Sequence, residues 1–128
     1  MGTEPSITIT IGIPHKALSP NARVHHMAKA KQVKAARSTA WLLAHTEIIC
    51  SKLPAPRWVH AISTVVWYSR TKRRPDGDNA LAMLKPTFDG MCDAGVLAND
   101  RNLAHNPIRF EVDRDNPRVE VTISEVQP

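Results

Sequence analysis

The sequence predicts an α/β fold: a single-domain two-layer sandwich, with a small mixed sheet packed on two main helices in the order β-α-β-α-β-β. Three observations carry that prediction. Residues 6–13 alternate apolar and polar side chains, as a half-buried strand does. Residues 22–51 and 79–94 repeat apolar side chains at helical spacings. The C-terminal third returns to alternation, in Ile108-Phe110-Val112 and again in Val119-Val121-Ile123. At 128 residues, the chain has length for one modest core, so residues 1–128 are expected to form one domain.

In the first strand Ile7, Ile9, Ile11 and Ile13 share a face. Residues 14–20 read as a loop, and Asn21 after Ser19-Pro20 is the expected cap of the first helix. That helix, residues 22–51, is expected to bury a stripe of Val24, Ala28, Ala35, Leu42 and Ile49, with Lys29, Lys34 and Arg37 facing away. Leu53-Pro54-Ala55-Pro56 ends it, since proline cannot continue the hydrogen-bond ladder. Residues 58–68 are rich in β-branched and aromatic types. Val59, Ala61, Val65 and Trp67 oppose Ile62, Val66 and Tyr68, which predicts a central strand covered on both faces. A charged loop, residues 69–77, leads to the second helix, residues 79–94, with Leu81, Leu84, Phe88 and Met91 inward. Pro86 is expected to kink that helix or force an adjustment, and Gly95 to stop it. A short strand in residues 94–100 is expected to return Asp100 toward the start of this helix. The last two strands are predicted to pair as a hairpin about residues 113–117.

Hydrophobic residues make up 42% of the chain and aromatic residues 5%, an ordinary globular composition. No apolar run approaches the ~20 residues of a membrane span. Residues 1–5 lack the features of a secretion signal, and Cys50 and Cys92 form no CxxC pattern, so free thiols in a cytoplasmic protein are expected. Net charge is +5, distributed unevenly. Residues 15–74 hold twelve basic side chains against Glu47 alone, and residues 75–128 hold ten acids against five basic residues. A basic part that holds phosphate beside an acidic part that holds metal is the division a nuclease needs. A polarised solubilising surface is the plain alternative.

The two halves meet in Arg73-Arg74-Pro75-Asp76-Gly77-Asp78-Asn79. Close carboxylates suit a hard cation such as Mg²⁺, which prefers oxygen ligands, and flanking cations suit a polyanionic substrate. Asp76, Asp78 and Asp100 are the candidate metal-binding acids. Each has a structural alternative: Asp76 or Asp78 as a helix cap, Asp100 as a turn residue. Lys85 lies seven residues beyond Asp78, on the same side of one continuous helix; otherwise it is an exposed lysine or a partner for Asp89. Arg70, Lys72, Arg73 and Arg74 are candidate phosphate contacts, with Arg23 and Lys29 as further DNA-binding candidates. His25 and His26 are adjacent and chelate poorly from a helix. With no HExxH, CxxC, Walker loop, GxSxG or dinucleotide fingerprint, zinc, NTPase, serine hydrolase and oxidoreductase chemistries lack support.

Taken in order, Asp76-Gly77-Asp78-Asn79, Lys85-Pro86, Phe88-Asp89-Gly90, Ala94-Gly95-Val96 and Asn99-Asp100 resemble the signature of the RusA family of Holliday junction resolvases, and Leu18-Ser19-Pro20-Asn21-Ala22-Arg23 resembles its opening. The resemblance implies an α/β endodeoxyribonuclease acting as a homodimer on branched DNA. It implies Mg²⁺, with Mn²⁺ able to substitute, at Asp76, Asp78 and Asp100, a catalytic Lys85, and no small-molecule cofactor. The chain departs from the family pattern twice: Lys85 lies three residues further along than in some members, and Asn99 stands where many carry the first acid of a doublet. A less selective flap or fork nuclease, and a DNA-binding module whose acids only cap a helix, are the rival readings.

Overall fold

The structure, a computed structural model, describes residues 5–126, so the reading of residues 1–4 as lacking a secretion signal lies outside it. Strand β1 (Ser6–Ile11) pairs antiparallel with β5 (Arg118–Glu125), with Ile11 opposite Val119. It stops short of Ile13 because that residue would face Pro117, which has no N–H to give to the ladder. On its other edge β5 pairs antiparallel with β2 (Ala61–Ser69). Two short strands, β3 (Leu103–His105) and β4 (Arg109–Val112), lie end to end along the far edge of β2, parallel to it. The mixed sheet is thus ordered β1-β5-β2-β3/β4.

The predicted hairpin of the last two strands does not form. β2 lies between β4 and β5, and residues 113–117 cross its C-terminal end, where the Asp113 N–H donates to the Ser69 carbonyl at 2.8 Å. Alternation identifies strands but not their partners. A long central strand must satisfy its backbone groups on both edges, and β4 and β5 take one edge each. The two faces of β2 also differ from expectation. Ala61, Ser63, Val65 and Trp67 are buried beneath the helices, whereas Ile62, Val66 and Tyr68 are half-buried and Thr64 is exposed. Only one face is covered, as in a two-layer sandwich. Trp58 precedes the strand, bridging Leu97; residues 94–100 contribute that single bridge in place of a short strand.

Helix α1 (His26–Ser51) begins later than predicted. His25 is its cap, with Nδ1 accepting from the Met27 N–H at 3.2 Å, while the Asn21 N–H donates to Ser19 Oγ in a preceding turn. Arg23 therefore lies before the helix. The predicted stripe is real in spacing but faces solvent: Leu42 is 56% and Ile49 61% exposed. Its buried face is Ala40, Ala44 and Ile48, supported by Val33, Ala36 and Leu43. Small side chains let α1 approach its neighbour closely.

That neighbour comes from the predicted second helix, which is two helices. α2 (Gly77–Met83) and α3 (Lys85–Asp93) meet at Leu84, with φ −90° and ψ −4°. Pro86 sits in the first turn of α3, where its missing N–H is tolerated. Gly90 faces α1 so closely that an added Cβ would lie 2.2 Å from the Arg37 carbonyl oxygen. After α3, Gly95 turns the chain at φ +95°, a conformation that glycine adopts without steric cost. Trp67, Leu84, Met91, Leu97 and Ile123 lie at the centre of the core. Cys50 and Cys92 are free. Among the described residues no helix is long and apolar enough to cross a membrane.

Candidate active site

Asp76 ends the charged loop and starts α2. Its Oδ1 accepts the Asn79 N–H at 2.9 Å, a side-chain cap, and its Oδ2 has a long 3.4 Å contact with the Asn79 amide. Asp78 follows in the first turn, where its charge complements the exposed N–H groups of the helix end. Lys85 opens α3 and Asp89 lies one turn later. After the Gly95 turn, Asn99 accepts the Arg101 N–H and starts a 3-10 turn, Asp100–Asn102, that runs into β3. Asp78, Lys85, Asp89 and Asp100 line one open cleft, floored by Leu81, Phe88 and Leu103. His105, at the end of β3, closes one side.

The structure therefore brings Asp78, Lys85 and Asp100 together from three separate elements. Asp76 is not part of that lining, and its carboxylate is used as the cap. Asp78 and Lys85 reach the cleft from different helices, not along one. The Lys85 ammonium lies 3.4 Å from Asp89 Oδ1 and 3.8 Å from Asp100 Oδ2, so both the Asp89 pairing and the approach to Asp100 are present. Negative potential extends beyond the cleft: the Cys92 thiol is pushed up chiefly by burial, then by Asp100, Asp93 and Asp89.

These side chains fit a hard divalent cation in kind. They supply carboxylate oxygens at an exposed cleft mouth, and an ammonium already stands between two of them as a stand-in cation. Among the described residues, no three His, Cys, Asp or Glu side chains are gathered closely enough to hold an ion unaided. A hydrated cation bound through one or two carboxylates and the substrate's own phosphate makes no such demand.

The basic loop runs directly into this acidic edge. Arg70, Lys72, Arg73 and Arg74 are all exposed. The Arg74 guanidinium lies 3.7 Å from the Phe110 ring centroid and donates to the Pro75 carbonyl, which fixes the end of the loop. Lys72 and Arg74 line a shallow depression with Ser69 and Phe110. Arg23 and Lys29 line neither depression.

Residues 13–124 match the family model described as Endodeoxyribonuclease RusA. The chain belongs to the RusA endodeoxyribonuclease family. It is accordingly an enzyme that hydrolyses DNA, in a family of Holliday junction resolvases, which sets aside the reading of a non-catalytic module. A chain of Xylella fastidiosa (strain Temecula1), described only as an uncharacterized protein, is 37% identical over 123 residues, covering 96% of this chain and 79% of its own length. Among solved structures, the periplasmic domain of Helicobacter pylori MotB aligns with 99% of this chain and 84% of its own at 16% identity and a TM-score of 0.34.

Two residues of this RusA-family cleft were not singled out as site residues from the sequence. Asp89 was visible as the acid four residues after Lys85. His105 carried no signal, being one of six histidines and placed by the pairing of β3 with β2.

Proposed function

We propose that this chain is a Mg²⁺-dependent, structure-selective endonuclease that resolves four-way DNA junctions by paired symmetric nicks in recombination and repair. Mn²⁺ would substitute for Mg²⁺. The observation that carries the reading is the convergence of Asp78, Asp100 and Lys85 on one cleft beside a basic loop. A bound divalent cation would activate water and stabilise charge on the phosphate. Asp78 and Asp100 are the side chains that would hold it, with Asp76 as a third ligand through the carboxylate oxygen that does not cap α2. Lys85 neutralises Asp100 at rest and meets the added negative charge of the scissile phosphate when DNA enters.

Arg70, Lys72, Arg73 and Arg74 hold backbone phosphates beside the cut; such contacts position a substrate without reading its bases. Arg23 and Lys29 serve as outlying contacts. Two identical cuts call for two identical sites, which a two-fold dimer of single-domain subunits supplies. The absence of a membrane-spanning helix among the described residues accords with action in the cytoplasm, where the DNA is.

The test is cleavage of four-way, flap and linear duplex DNA by purified protein with Mg²⁺ or Mn²⁺. Symmetric nicks across the junction point are expected. Asp78→Asn should lower the cleavage rate by roughly 10³-fold or more while leaving junction binding measurable. A preference for flaps over junctions would replace this reading with that of a less selective nuclease.

A further inference from the structure

The cleft suits a cation, yet its substrate is an anion. A phosphodiester entering it meets Asp78, Asp89 and Asp100, which only accept hydrogen bonds when ionised. Of the side chains lining the cleft, only Lys85 and His105 carry donors; the others are acids or hydrocarbon. Lys85 is drawn toward Asp89 and Asp100. His105 is in no ion pair among the described residues, and its place is fixed from two sides. Its Nδ1 lies 2.6 Å from Ser63 Oγ on the neighbouring strand, and its ring packs on Phe88 with centroids 4.8 Å apart.

The Ser63 bond sets the tautomer. Ser63 is fully buried, and among the described residues its hydroxyl has His105 as its one hydrogen-bond partner. Were Nδ1–H the donor, the hydroxyl proton would be buried with no acceptor, which folded interiors avoid. Ser63 therefore donates to Nδ1, and the imidazole carries its proton on Nε2. Burial holds the pKa of this imidazole below its ordinary value, which favours the neutral ring. A neutral donor has an advantage here: unlike the ammonium of Lys85, it is not drawn onto the carboxylates that the metal needs.

We propose that His105 is a substrate-contacting residue of this nuclease, whose Nε2–H donates to a non-bridging oxygen of the phosphodiester held in the acidic cleft, on a tautomer imposed by Ser63. The inference rests on the reading of that cleft as the cleavage site, so its test needs a readout besides cleavage. Long-range ¹H–¹⁵N correlation spectra of the full-length protein are expected to show His105 protonated at Nε2 and bare at Nδ1. Saturating short-armed four-way junction, added with non-catalytic Ca²⁺, is expected to shift the Nε2 resonance. A resting Nδ1–H tautomer, or His105 signals unmoved by saturating junction, overturns the proposal whether or not the protein cuts.

The second measurement is single-turnover junction cleavage with Mg²⁺. His105→Ala is expected to slow it about 10²-fold, the scale of one lost donor at a developing oxyanion, with junction affinity in Ca²⁺ changed by no more than about threefold. His105→Gln, whose side-chain amide replaces the Nε2 donor, is expected to recover about tenfold of that loss. Thermal unfolding checks that both variants fold. A folded His105→Ala that cuts at the wild-type rate, or a folded His105→Gln no faster than His105→Ala, overturns the contact. Wild-type protein that cuts no DNA with either metal sinks the nuclease reading instead, and the imidazole resonance then decides the contact alone.

Discussion

Asp76 serves α2 before it serves any chemistry: its Oδ1 takes an N–H of the first turn. The two demands can be separated because asparagine caps a helix about as well as aspartate. Asp76→Ala should lower stability by ~0.5–2 kcal/mol, read as a fall in urea midpoint. Asp76→Asn should leave that midpoint near wild type. If Asp76 also holds metal, Asp76→Asn will lose cleavage while keeping its fold; equal cleavage by Asp76→Asn and wild type would reduce the residue to its cap. The same contrast explains which parts of the site could be read from sequence. Asp78, Lys85 and Asp100 stood in an ordered motif, and the fold gathers them at one cleft. His105 belongs to no motif, and reaches the cleft only because residue 105 pairs with residue 63 in a parallel register. Such pairing is a tertiary fact with no local pattern behind it.

At the scale of elements, the contact of α3 with α1 holds Lys85 and Asp89 where they are. Gly90 packs on the α1 backbone, and a methyl group there would meet the Arg37 carbonyl at 2.2 Å, a backbone atom that cannot rotate aside. Gly90→Ala should therefore cost ~1–3 kcal/mol by overpacking, measured by urea unfolding, and slow cleavage by displacing α3. A second tie is ionic: Arg37 donates to both carboxylate oxygens of Asp93, which holds the Asp93 carboxyl below its usual range. Its folded pKa is thus lower than its unfolded value of ~3.9. The contribution is complete above that unfolded value and lost as pH falls through the folded one. Thermal midpoints measured from about pH 6 down to 2 should fall less steeply in Asp93→Asn than in wild type below about pH 4. The pair is largely exposed, so the difference will be small. The α1–α3 contact also explains the misread stripe of α1. Leu42 and Ile49 are larger and more apolar than Ala40 and Ala44, yet only the alanines allow a glycine-faced helix to approach. Periodicity located the helix, and side-chain size pointed to the wrong face. The break at Leu84 was legible in Pro86, whereas the partners of β4 and β5 were not, because alternation is the same whichever strand lies alongside.

Across the whole molecule, the polarity of charge visible in the sequence becomes a basic loop that runs straight into an acidic cleft. The four loop cations are not equivalent. Arg74 is stacked on Phe110 and bonded to Pro75, so part of its role is to hold the loop end above β4. The Arg73 side chain makes no hydrogen bond or ion pair among the described residues, although its N–H is held by Thr71. Arg73 should act on DNA through charge alone. If it neutralises one phosphate, Arg73→Ala will lower the slope of log K against log salt by ~0.9 on duplex arms, with no change in thermal midpoint. Arg74→Ala should lower the slope by a similar amount and also lose an exposed cation–π contact of ~0.5–1 kcal/mol. Junction binding titrated from about 50 to 200 mM salt without divalent cations measures the slope, and parallel melting curves measure the fold. An Arg73→Ala slope equal to wild type would place the phosphate path elsewhere, with the outlying Arg23 and Lys29 next to be substituted.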